Sequence, residues 1–191
     1  MPSWRNRLRR PFVCVLAGVS VIYPLLVYFG QSRVSPLTFV AIILALVGLR
    51  LATADGGAAA AWRFPFALAA AGIVVLAFLD LDLAVRSYPV LVNLGVGILF
   101  GLSLFRPPSL VERIARLREP DLPPEAVVYC RRVTLIWAAF GLTNGAVTWA
   151  ISVWGTLAQW TLWTGVISYV LVGMLFAGEL TVRTFVRRKR P

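Results

Sequence analysis

The chain has 191 residues, 59% of them hydrophobic and 14% charged, with a formal net charge of +11 and a mean hydropathy of +0.81. Soluble domains run about 45–50% apolar and about 25% charged, so this composition excludes an ordinary water-soluble fold and predicts one integral membrane domain over residues 1–191. The absence of histidine removes His-dependent acyl transfer and Ser-His or Cys-His nucleophile pairs, and Cys14 and Cys130 alone make no metal site. No catalytic residue, cofactor or metal is expected.

In chain order, Arg5, Arg7, Arg9 and Arg10 precede an uncharged run over 12–29. The run is longer than a signal-peptide core, and no small-x-small cleavage site follows it. It is read as an uncleaved first span, kinked at Pro24, which a membrane helix tolerates when neighbours cover the freed carbonyl. The second span is 35–52, with Pro36 in its first turn and Arg50 near its inner end. The third is 64–79, short for a hydrocarbon core of about 30 Å at about 1.5 Å per residue. The fourth is 88–105, the fifth 133–153 and the sixth 159–178. The fold class is therefore all-α, a polytopic bundle of six transmembrane helices.

The arginines fix an orientation. With the N-terminus inside, 17 of the 19 basic residues lie on inner segments and only Arg33 and Arg86 lie outside. That asymmetry is the positive-inside rule. Both termini are then cytoplasmic, and the protein is a multi-pass protein of a bacterial inner membrane. The positive charge meets anionic lipid headgroups rather than nucleic acid. Trp4 and Trp62 near inner boundaries, and Trp149, Trp154 and Trp160 around the last outer turn, fit amphipathic rings at the water–lipid borders.

The segment 106–132 is the largest cytoplasmic piece. Pro107-Pro108 stops the fourth helix, and Ser109 with Glu112 reads as a capping box opening a short helix. Leu110, Ile114 and Leu117 share one face, while Arg113 and Arg116 lie mostly away from it, as in a helix lying along the membrane surface. This is a rigid re-entry hairpin, or a docking surface formed by Ser109, Glu112, Arg113 and Arg116.

Within the bilayer, Asn93, Gly97 and Gly101 recur at four-residue spacing, and Gly141, Asn144 and Gly145 cluster in the fifth span. Small residues let helix backbones approach, and a buried amide seeks a partner. Asn93 lies 12 residues before Phe105 and Asn144 lies 11 after Val133. The two helices are predicted to be antiparallel neighbours joined by an Asn93–Asn144 hydrogen bond. Asp80 and Asp82 point away from each other on a helix and mark a solvated span end. Glu179, four residues before Arg183, is an expected ion-pair partner and the leading candidate for a proton relay. Tyr23-Pro24 and Tyr88-Pro89 look alike, but one lies within its span and the other at a mouth, so the likeness is read as coincidence.

Arg106–Arg113, Glu119–Pro124, Tyr129 with Arg131, and Trp137 leading to Asn144-Gly145 resemble a family of small uncharacterised bacterial membrane proteins encoded among aryl-polyene and related fatty-acid-like biosynthesis genes. More distantly, Pro24 with Tyr28 and Phe29, Leu110–Arg113 and Trp137–Phe140 are similar to the intracellular septation protein A family. Neither family brings a catalytic residue. The first resemblance implies a non-enzymatic role supporting cell-envelope lipid or aryl-polyene assembly, with biosynthetic enzymes as partners. A small transporter or lipid-handling protein with a polar track through Asn93, Asn144 and Glu179 stays open, as does a septation role. The oligomeric state is not fixed by the sequence.

Overall fold

The computed structural model describes residues 22–30, 32–53, 63–117 and 119–188, without the side chains of 53 and 182–188. Residues 12–21 of the first expected span, together with Trp4, Cys14, Trp62 and Arg118, lie outside the described residues.

The described chain is all-α. Residues 22–30 are helical (α1), followed by α2 (Pro36–Thr53), α3 (Arg63–Ala77), α4 (Leu81–Phe105), α5 (Leu110–Arg116), α6 (Pro124–Trp154), α7 (Leu157–Leu162), a π-helical turn over Trp163–Ile167, and α8 (Ser168–Arg188). Three helical stretches are long and apolar enough to cross a membrane: Leu81–Phe105, Pro124–Trp154 and Leu157–Thr181. Pro36–Ala52 and Arg63–Ala77 are apolar but shorter.

Local chemistry explains where these helices begin. Asp80 is the N-cap of α4, its carboxylate accepting from the Leu83 N–H at 3.0 Å. That cap starts α4 seven residues before the expected 88, so the α3–α4 connector shrinks to residues 78–80. Pro89 is consequently interior to α4. Pro124 occupies the first turn of α6, where its missing N–H costs nothing, and the helix runs unbroken through 133. Thr156 caps α7 and exchanges hydrogen bonds with Gln159.

Neighbouring helices run antiparallel. A Cβ on Gly95 of α4 would lie 2.7 Å from Pro65 Cα of α3, and one on Gly72 of α3 would lie 2.8 Å from Leu91 Cδ1 of α4. Position 95 therefore faces 65 while 91 faces 72, so the two chains run in opposite senses. On its other side α4 meets α6, the most extensive helix pair among the described residues. This alternation gathers Arg50, Arg63, Arg106, Arg131 and Arg132 at one end of the bundle and Arg33 and Arg86 at the other.

The main apolar core lies toward the second end, where Tyr23 and Val27 of α1 pack with Phe39, Ile43, Tyr88 and Trp160. Trp160 is 0% exposed, so it is a core residue and not a border ring; Trp154, 81% exposed, is free to serve at the border. The Tyr23 and Tyr88 rings meet edge-on at 5.3 Å between centroids. With α4 starting at Leu81, Tyr88 lies two turns inside its helix, so the two Tyr-Pro pairs share a depth after all. A smaller cluster of Phe100, Leu110 and Ala138 joins α4, α5 and α6 at the arginine-rich end.

Candidate functional site

Two constructions stand out, an amide node inside the bundle and a clamped hairpin at its arginine-rich end. The node starts with glycine. A Cβ on Gly97 would lie 2.7 Å from Leu142 N, and one on Gly141 would lie 2.9 Å from Gly97 Cα and 3.0 Å from Asn93 O. At Gly145 it would meet Leu94 Cδ2 at 2.7 Å. At Gly97 and Gly141 only hydrogen fits, so α4 and α6 approach backbone to backbone there, whereas Gly145 packs under the Leu94 side chain. Gly101 differs from the expectation, since its nearest neighbour is Ala138 Cβ at 4.0 Å and a methyl group would fit there. Gly95, which sequence spacing did not single out, is as tightly packed as Gly97 but against α3. Residues two apart on a helix point about 200° apart, so Gly95 and Gly97 serve opposite neighbours.

This close approach brings the two amides together. Asn144 Nδ2 donates to Asn93 Oδ1 at 3.0 Å, and Asn93 Nδ2 donates to the Pro89 carbonyl at 2.7 Å. Asn144 Oδ1 accepts twice more, from Trp163 Nε1 at 3.2 Å and from Ser168 Oγ at 3.1 Å. Asn144 is 3% exposed. Trp163 opens the π-helical turn and Ser168 follows it, and the extra residue of that turn reorients one face of the last helix toward α6. Below Asn144, Thr148 Oγ1 donates to the Asn144 carbonyl and Ser152 Oγ to the Thr148 carbonyl. The polar atoms are satisfied by one another, so the arrangement holds α4, α6 and the last helix in one register.

Glu179 stands apart from that node. Its carboxylate accepts from Trp137 Nε1 at 3.4 Å, and its backbone carbonyl accepts from the Tyr129 hydroxyl at 3.3 Å. Trp137 also packs against Phe176 at a tilt, with centroids 4.7 Å apart, so this contact ties α8 to α6. The Arg183 side chain, its expected partner, lies outside the described residues.

The hairpin is fastened to both adjoining helices. The Leu110 N–H donates to Ser103 Oγ of α4 at 3.0 Å, and the Val111 N–H to Thr134 Oγ1 of α6 at 3.4 Å. The expected Ser109/Glu112 capping box forms, the Glu112 carboxylate accepting from the Ser109 N–H at 3.3 Å, while Ser109 Oγ is buried without a hydrogen-bond partner among the described residues. Arg116 holds the same carboxylate at 2.8 Å and donates to the Pro120 carbonyl at 2.8 Å. Arg113 donates to the carbonyls of Pro108 at 2.7 Å and Arg106 at 2.9 Å.

Of the four expected docking residues, Ser109 and Glu112 are therefore buried, at 4% and 6% exposure. Arg113 and Arg116 remain at the surface, but Arg113 is tied to two backbone carbonyls and Arg116 to the Glu112 carboxylate and one carbonyl. Arg131 and Arg132, on the first turns of α6, are exposed. Ile114 and Leu117, also exposed, supply the apolar face of the short helix. What this end offers is a stiff cationic plate with an apolar margin.

No protein-family model, curated protein or solved structure matches this chain.

Proposed function

We propose that the protein is a non-catalytic, multi-pass protein of the bacterial inner membrane that supports cell-envelope lipid or aryl-polyene assembly. In this reading the chain crosses the bilayer six times with both termini cytoplasmic, and its arginine-rich end lies against anionic headgroups. The hairpin presents a fixed cationic surface to biosynthetic enzymes on the cytosolic side.

The observation that carries this reading is the fastening of the hairpin. Two backbone N–H groups tied to Ser103 and Thr134, with both arginines bound to nearby carbonyls, spend side-chain order on rigidity. A rigid surface binds with less loss of conformational freedom than a mobile loop. The amide node supports it as well: closed on itself by Asn93, Trp163 and Ser168, it offers no open polar path for a solute.

Gene deletion followed by comparison of extracted lipids and pigments tests this reading. A missing or misplaced envelope lipid or polyene is the expected result. Unchanged lipids and pigments with altered cell shape would favour a septation role instead. A second reading, lipid handling, is favoured by one specific observation, the apolar crevice between α3 and α6.

A further inference from the structure

We propose that the last helix has a second register on α6, and that the π-helical turn over Trp163–Ile167 is the switch between the two. On a regular α-helix five residues turn through about 500°, which would set Trp163 and Ser168 about 140° apart. The Ser168 N–H instead bonds the Trp163 carbonyl five residues back, and the two side chains meet on one acceptor, Asn144 Oδ1. The turn thereby reconciles two separate demands. Upstream, Trp160 is 0% exposed and donates to the Arg86 carbonyl at 3.1 Å, while Thr164 Oγ1 donates to the Trp160 carbonyl at 2.7 Å. Downstream, Ser168 and Glu179 stand 179 − 168 = 11 residues apart, about three turns, and so share the face turned to α6.

The downstream half is loosely held. Only 11% of the most apolar stretch of Leu157–Thr181 is buried, against 33% in each of the other two long helices. Among the described residues α8 makes no extensive backbone contact with α6. Side chains fasten it instead: Ser168 to Asn144, Phe176 and Glu179 to Trp137, and the Tyr129 hydroxyl to the Glu179 carbonyl. A Cβ added at Gly173 or Gly178 would meet nothing within 4 Å, so no described neighbour blocks rotation at those positions.

Tightening the turn to a regular α-helix, with the upstream half fixed, passes its extra residue down the chain. Everything beyond then advances by about 1.5 Å along the axis and about 100° around it. Ile167, Leu171, Met174 and Gly178 take the places of Ser168, Val172, Leu175 and Glu179. That second face is wholly apolar, so it packs on α6 without stranding a polar side chain of its own. Trp163 keeps its acceptor because it lies at the upstream edge, and the Tyr129 hydroxyl meets the Gly178 carbonyl where that of Glu179 stood. The second register gives up the Ser168–Asn144 bond and the Trp137–Glu179 contact of 3.4 Å. It also turns the Glu179 carboxylate from Trp137 toward the outside of the bundle. Packed elements shift between discrete arrangements of this kind rather than deforming continuously, and π-helical turns recur at functional sites.

Spin labels on the full-length protein in nanodiscs test this, placed at Phe78→Cys and Met174→Cys in a cysteine-free background; both positions are exposed. Pulsed distance measurements should give two distances several ångströms apart, the minor one being the advanced register. Ser168→Ala removes a bond made only in the first register and should raise the minor population several-fold. Deletion of Val166 takes out the extra residue while leaving the downstream face in place, and should give the first distance alone with helicity unchanged. One distance shared by wild type and Ser168→Ala, or two in unchanged proportion, would overturn the proposal. Two distances in a folded Val166 deletion would overturn it as well, by placing the motion outside the turn. Where the deletion fails to fold, the Ser168→Ala comparison decides alone.

Discussion

The Tyr23 hydroxyl donates to the Val85 carbonyl at 3.0 Å, linking α1 to α4 across 62 positions of sequence. Pro89 is why that carbonyl is available. A proline has no N–H, so the residue four before it loses its helical donor, and in hydrocarbon such a group needs another. Tyr23→Phe should therefore cost about 1 kcal/mol in unfolding from detergent, the net worth of a typical hydrogen bond. In a Pro89→Ala background the helix supplies its own donor, and the same substitution should cost clearly less. Equal costs in the two backgrounds would show that Tyr23 acts through ring packing alone.

The amide node makes a second prediction. A double-mutant cycle of Asn93→Ala and Asn144→Ala should give a coupling of about 0.6–2 kcal/mol. Asn144→Ala alone should cost more than Asn93→Ala, because it also strands the donors of Trp163 and Ser168. Fluorescence of Trp163 should shift on Asn144→Ala as its indole loses the acceptor.

Two glycines one turn apart separate packing from mere composition. Gly97→Ala would push a methyl to 2.7 Å from Leu142 N, forcing the backbones apart at a cost of about 1–3 kcal/mol. Gly101→Ala meets nothing closer than 4.0 Å and should be neutral or stabilising, since alanine favours the helix. Denaturation of the two variants in detergent should rank them in that order.

The hairpin should be stiff because Arg116 holds the buried Glu112. Arg116→Gln leaves that carboxylate with the Ser109 N–H and should raise hydrogen exchange and proteolysis over 110–123 while sparing α4 and α6. The effect is a local one, since Arg116 itself is 39% exposed and ion pairs at such positions contribute little to global stability.

Much of this architecture was readable from the chain. Apolar spans placed α2 and α3 to within a few residues, whereas α6 starts nine residues before its expected span, and equal distances from the arginine-rich ends brought Asn93 to Asn144. Distance along an antiparallel pair is linear, so the sequence carries it. What it did not carry were the third partners: Trp163 and Ser168 reach Asn144 only because of the π-helical turn, which no residue pattern announces. Gly95 was overlooked because its partner, Pro65, belongs to the shortest expected span. Arg113 and Arg116 looked outward because charge usually does, yet the proline-rich bends on either side left bare carbonyls within their reach.

In the proposed topology the arginine-rich end of the bundle faces the cytosol. In a cysteine-free background, single cysteines at Asp121 of the hairpin and Ala158 at the opposite end, both exposed positions, can be labelled in intact cells with a membrane-impermeant thiol reagent after the outer membrane is permeabilised. Labelling of Ala158→Cys alone is expected, with Asp121→Cys reacting only after lysis. Labelling of Asp121→Cys in intact cells, with Ala158→Cys protected, would contradict it.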